Sequence, residues 1–393
     1  MDSIDRLPRS AAALLERLRP VLSRAAAEAE RDDATGTFPA TALDGLRAAG
    51  ALAAPLRPES AHPETAHPQS VHPQPAHSEM SWPEPAGLGL GTTAPGTDGI
   101  ATLLRALGRA SLALGRVYEG HVNALRLIDR YATPAQRDAA ARDARDGHLF
   151  AIWAAEAPTT RVVLDRGRLT GRKAFASGVG VVTRPLITMH VPGAGECLAL
   201  VPLAPGQGHV GPPFDLHGMR AAATAAVDFT GIALSPDERI GAPEDYMRQP
   251  EISLGAWRAL AVMLGGLDAL VAAFATDLHA RGRAGDPHQR ARLGQALIAQ
   301  ETAARWTLRS AALAETDAPD EDAANYVKLA RVAFEQACSD AITHARRALG
   351  IGAFVRPHPV ERLGRDLATY LRQPAMDMVL DEAAAHFLTR PLP

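Results

Sequence analysis

A chain of 393 residues with 47% apolar side chains exceeds the needs of one small core, so two or three packed regions able to enclose a dinucleotide-sized ligand are expected. Lysine and arginine number 41 against 44 aspartate and glutamate, a formal charge of -3, which excludes the basic face that nucleic acid demands. Its two cysteines, Cys197 and Cys338, form no disulfide framework, zinc site or iron–sulfur motif, and without a signal-peptide pattern or an apolar run of about eighteen residues the expected setting is a reducing cytoplasm, with no membrane.

Taken in chain order, apolar residues recur at helical spacing from Ala11 to Glu30, and Phe38-Pro39 opens a second helix with Leu43, Leu46 and Leu52 on one face. His62, His67, His72 and His77 follow at a five-residue period in a proline-rich stretch, and residues 58–86 are expected to form an extended, flexible insertion. Nothing in such a segment fixes a ligand geometry, so no metal site is predicted there. Helical periodicity resumes from Ile100 to Asp129, and Thr133-Pro134 starts a further helix that Gly147 stops.

Between Leu149 and Ile240 the pattern changes to β-branched or alternating runs such as RVVLDRGRLTG, VVTRPLITMHV and CLALVPL, parted by glycine and proline turns. Four helices are then predicted at 254–281, 287–315, 320–349 and 359–388. This order predicts an α+β chain: a helical domain over 1–147, a central β-domain over 148–243 and a helical bundle over 244–393.

Walker, GxGxxG, GxSxG and HExxH signatures are missing, which argues against nucleotide-triphosphate and nicotinamide enzymes. The segments that remain are FPATALDGLRAAGALAAPL, YATPAQRDAAARDARDG, AIWAAEAP, GRKAFASG, GMRAAATAAVDFTGIAL and GIGAFVRPHPVERLGRD. In that order, and over nearly the whole length, they resemble the acyl-CoA dehydrogenase superfamily, the last being the most specific. The resemblance implies an acyl-CoA dehydrogenase-like fold with a central β-barrel or sandwich and a C-terminal four-helix bundle. It also implies a flavin-dependent oxidoreductase that holds FAD, or FMN, and assembles as a homodimer or homotetramer.

Carried over residue by residue, Phe175 and Ser177 on GRKAFASG match an aromatic and a hydroxyl that lie against the flavin ring. A flat apolar ring can shield one flavin face, and a hydroxyl can hydrogen-bond a ring heteroatom. On AIWAAEAP the family's threonine is replaced by Ala155, so the backbone of Ala154 and Ala155 is left as the flavin contact, with Trp153 nearby. Arg290, ahead of Gly294, and the Gly350–Gly352 loop match groups that grip the diphosphate side, partly of a neighbouring subunit's flavin. Arg220, Arg365 and Asp366 are read as structural salt-bridge partners.

The resemblance also exposes a gap. One customary place for the catalytic glutamate falls at Pro374; the other precedes an arginine, where this chain has Trp257-Arg258, leaving Arg258 as a candidate substrate ligand. Neither proline nor tryptophan can act as a base, and Glu251, Asp377 and Asp381 are the nearest carboxylates in sequence. Three readings follow: an oxidoreductase acting on the CH–CH group of an acyl thioester through an unconventional base, a two-component monooxygenase using oxygen and flavin reduced by a separate reductase, or a non-catalytic paralogue.

Overall fold

The computed structural model describes residues 11–56, 97–156 and 159–393, so the His–Pro insertion predicted at 58–86 lies outside the described residues. Five helices come first: α1 (Ala11–Thr35), α2 (Ala40–Ala48), α3 (Thr97–Ala110), α4 (Leu112–Tyr131) and α5 (Pro134–Arg145). The single helix predicted from Ile100 to Asp129 is two, because the Ser111 hydroxyl accepts from the Leu114 N–H at 3.3 Å and caps a fresh start. Helix α5 begins on a capping box: Thr133 Oγ1 accepts from Gln136 N–H, while the Gln136 side chain accepts from Thr133 N–H at 2.9 Å.

The central region holds β1 (Phe150–Trp153), β2 (Val163–Asp165), β3 (Arg168–Thr170), β4 (Arg172–Ala176), β5 (Arg184–Val191), β6 (Gly195–Leu200), β7 (His209–Val210), β8 (Ala225–Asp228) and β9 (Arg239–Ile240). Six strands form one sheet, ordered β3-β2-β5-β6-β9 with β1 added parallel to β5; the other three form a second sheet, β4-β8-β7. Trp153 and Phe229 meet edge-on between them, their ring centroids 6.5 Å apart. The β4·β8 ladder slips between Lys173 and Ala176, and within the slip Phe175 takes φ +52°.

Helices α6 (Glu251–Leu254), α7 (Ala256–Ala280), α8 (Pro287–Ala314), α9 (Glu321–Leu349), α10 (Pro359–Tyr370) and α11 (Met376–Phe387) complete the chain. The helix predicted over 359–388 is broken at Leu371–Ala375, where Pro374 precedes Ala375 at φ +60°. By length and composition Glu251–Ala280 could cross a membrane, but 72% of its most apolar stretch is buried, with α7 packed against α3, α4, α8, α9 and α10. Helices α3 and α7 approach until only glycine fits: a Cβ on Gly108 would lie 1.9 Å from the Val262 carbonyl oxygen, and one on Gly265 1.9 Å from that of Arg105.

Arg365 joins all three regions, pairing with Asp33 of α1 at 2.7 Å and Glu361 of α10 at 2.6 Å and donating to the His217 carbonyl at 3.0 Å. Beside it the Met219 N–H donates to Asp366 at 2.6 Å, and a Cβ on Gly218 would fall 2.3 Å from the Arg365 carbonyl oxygen. Arg220 reaches Asp215 at 3.3 Å and the Asp33 carbonyl at 3.2 Å. Two of the segments that carried the family resemblance, GMRAAATAAVDFTGIAL and the C-terminal signature, are thus packed against each other. Together they set the β-domain on the helical frame.

Candidate active site

A cleft of about 800 Å³ opens where the β-domain meets the helices. The β-domain contributes Trp153, Ala154, Ala155, Glu156, Phe175 and Thr188. Its helical walls come from α4 (Glu119, Asn123), the start of α7 (Arg258, Leu260, Met263), α9 (Lys328, Arg331) and the break before α11 (Gln373, Pro374, Ala375).

Phe175 is the feature that the β-bulge creates. A bulky residue at positive φ is strained, and bulges re-aim side chains beside functional sites. Here the ring is turned outward and 60% exposed, with Phe214 packed on it at 5.0 Å. Underneath, the ammonium of wholly buried Lys173 pairs with Glu156 and donates to Thr188 Oγ1 at 2.7 Å and to the Ala154 carbonyl at 3.4 Å. Burial lowers the Lys173 pKa, and Glu156 opposes that shift. The Ala155 carbonyl accepts from Ala174 N–H at 2.9 Å. The segment 154–156 is therefore fixed on a charged, hydrogen-bonded base, with small side chains that leave room for a flat group.

Of the residues expected at a flavin, Trp153, Ala154, Ala155 and Phe175 line this cleft, as does the candidate substrate ligand Arg258. Trp153 Nε1 donates to the Ser177 carbonyl at 3.1 Å. Ser177 itself is not among the lining residues; its hydroxyl meets Thr224 Oγ1 at 3.3 Å. Arg290 is exposed on α8, and Gly350 and Gly352 sit in the turn after α9, all three away from the cleft of their own chain. Arg258 Nη1 donates to Asn123 Oδ1 at 2.7 Å and its Nη2 to Glu315. Burial opposes ionisation of Glu315, yet Arg258 and Arg126 outweigh it and hold the carboxyl below its usual range.

Pro374 borders the cleft, whereas Trp257 is fully buried behind it and donates to Glu315 at 3.2 Å. Asp377 and Asp381 are exposed on α11 and do not line it. Glu251 does, but it pairs with Arg130 at 3.0 Å and accepts from Tyr131 at 3.0 Å. The remaining cleft carboxylates are engaged too: Glu119 with Arg116, Glu156 with Lys173, Glu196 with Arg161 and Glu382 with Lys328. Burial pushes the Tyr246 phenol up to about 12, so this lining residue keeps its proton. Glu119, Lys173 and Arg331 escaped the sequence reading, since each has a bonding partner, or a share in the cleft, from a distant stretch of chain.

No protein-family model matches the chain, and no curated protein matches it either. Solved structures do. FMN-bound TdsC from Paenibacillus sp. A11-2, a dibenzothiophene monooxygenase, is 17% identical with a TM-score of 0.79, covering 97% of this chain and 98% of its own. KijD3 in complex with dTDP is 20% identical with a TM-score of 0.77, covering 98% of this chain and 99% of its own. A nitrososynthase from Micromonospora carbonacea var. africana is 19% identical with a TM-score of 0.76, again over 98% and 99%. At these identities the likeness establishes the architecture: the chain has the acyl-CoA dehydrogenase-like fold.

Proposed function

We propose that this chain is a flavin-dependent monooxygenase acting on a small molecule with flavin reduced by a separate partner. One observation carries the reading: Phe175 and the bare Ala154–Ala155 segment share a cleft with Pro374, and every carboxylate lining that cleft is already ion-paired. Removal of a substrate α-proton needs a carboxylate with a free lone pair at the reacting carbon, and this cleft offers none at the customary places. Proteins of like fold add support, since TdsC is a dibenzothiophene monooxygenase with an FMN-bound structure and KijD3 has been solved with FMN and a dTDP-sugar.

The residues suit a flavin. Phe175 would cover one ring face, and the backbone N–H groups of Ala154 and Ala155 would meet its edge, with Trp153 behind and Ser177 as a more remote contact. A bound reduced flavin supplies two electrons to dioxygen, one oxygen atom passing to the substrate and the other leaving as water. Leu260 and Met263 exclude bulk water from the reacting side, and the protonated Tyr246 can donate a hydrogen bond to an oxygen held there. Arg258 keeps the α4–α7 wall in place while bordering the substrate. Arg290 and the Gly350–Gly352 turn would serve a neighbouring subunit's flavin in a homo-oligomer.

Equilibrium titration with FMN, FAD and riboflavin tests the cofactor claim. Saturable binding that quenches flavin fluorescence, and that Phe175→Ala weakens, is expected. No binding of any flavin, oxidised or reduced, would leave the non-catalytic reading.

A further inference from the structure

The cationic side chains lining the cleft are Arg116, Arg126, Arg161, Arg258, Lys328 and Arg331. Arg116 pairs with Glu119, Arg161 with Glu196, Arg126 and Arg258 with Glu315, and Lys328 with Glu382. Arg331 has no such partner among the described residues. Its Nη2 donates to the Pro374 carbonyl at 2.9 Å and lies 3.5 Å from the Met376 sulfur, while among the described residues Nε is buried without a partner and Nη1 makes no hydrogen bond. Burial lowers the guanidinium's pKa and the nearby Glu335 carboxylate opposes that shift, but Glu335 forms its ion pair with Arg372, not with Arg331.

A second cation stands one turn away. Lys328 precedes Arg331 by three residues on α9, hence on the same face, with its ammonium 2.8 Å from Glu382 and 3.3 Å from Asn325. The Glu382 side chain is 42% exposed, so this pair can open toward an incoming anion. A guanidinium fork and an ammonium on adjacent turns suit a doubly charged oxyanion better than a single carboxylate.

We propose that Arg331, assisted by Lys328, binds a phosphate group of the substrate, which makes the substrate a phosphate or diphosphate ester. The site stands on its own geometry, while assigning its occupant to a substrate rests on the flavin reading above. The phosphate of a bound flavin has the same chemistry. The substrate is favoured because the surface suited to the flavin ring belongs to the β-domain, whereas Arg331 belongs to the wall made by α9 and the break before α11.

The test is calorimetric titration of the full chain with inorganic pyrophosphate at low ionic strength, with FMN and riboflavin affinities measured on the same samples. The wild type should bind pyrophosphate, Arg331→Met should weaken it by about tenfold, and Arg331→Lys by less, as loss of a charge-assisted bidentate contact requires. FMN affinity should stay unchanged in both variants. If Arg331→Met does not fold by circular dichroism, Arg331→Lys, which keeps a donor for the Pro374 carbonyl, carries the comparison. Pyrophosphate binding that is absent, or equal in wild type and variants, overturns the site. Displacement of FMN but not riboflavin by pyrophosphate overturns the assignment to substrate. Pyrophosphate binding that needs Arg331 in a protein that binds no flavin leaves this site standing and removes the flavin reading instead.

Discussion

Phe175 keeps its ring exposed at the cost of an unfavourable backbone conformation, a local cost that a purely structural residue would not need. Phe175→Gly should therefore fold as well as the wild type or better, since glycine takes φ +52° without strain, while weakening flavin binding. A thermal melt lowered by the change together with unaltered flavin affinity would make Phe175 a packing residue. Pro374→Glu should not create a working base, because the new carboxylate would lie next to Arg331 and pair with it; unchanged turnover with acyl thioesters is the expected readout. His121 gives a pH signature. Buried with Nε2 2.7 Å from the Leu52 carbonyl and Nδ1 accepting from Phe150 N–H, it has its pKa pushed down to about 4. The unfolded chain takes up this proton first, near pH 6.5, so the stabilisation is full above that value and fades as pH falls toward 4. The loss should approach about 3 kcal/mol. Denaturant melts across this range should show the slope in the wild type and lose it in His121→Gln. Phe175, Trp153 and the alanine pair, each singled out by one short segment resemblance, do line the cleft, but Arg331 could not be singled out: its lack of an ion pair depends on which carboxylates the fold brings near.

At the scale of elements, the order of helices, strands and helices was written in the change of hydrophobic period. Their joints were less legible. Ser111 and the Pro374–Ala375 turn each interrupt a run that stays apolar at helical spacing on both sides, so periodicity alone reads through them. The second break matters most, because it delivers Gln373, Pro374 and Ala375 to the cleft. Arg365 holds the elements in register, and Arg365→Met would leave Asp33 a buried carboxylate without its ion-pair partner and Glu361 with only the 3.4 Å contact to Arg356. A loss of about 3–5 kcal/mol is expected in chemical unfolding. A change within about 0.5 kcal/mol would place that pair at an ordinary surface site.

Across the whole molecule, apolar side chains stand open on α8 and the turn after α9, including Ile298 at 62% and Ile351 at 81% exposure. A homo-oligomer that covers them is expected. Ile298→Asp combined with Ile351→Asp should shift the mass in solution toward the monomer and weaken flavin binding, since Arg290 and Gly350–Gly352 would then have no neighbour to serve. On the proposed reading the protein works with reduced flavin and oxygen and not by abstracting an α-proton. Rapid mixing of the flavin-loaded protein with straight-chain acyl-CoA, without oxygen, followed by chemical reduction and then oxygen, tests it in one experiment. No substrate-driven bleaching of the flavin is expected, then, on adding oxygen, a transient absorbing species distinct from oxidised and reduced flavin. Fast bleaching by the acyl-CoA alone would contradict it and make Glu251 the first base to mutate.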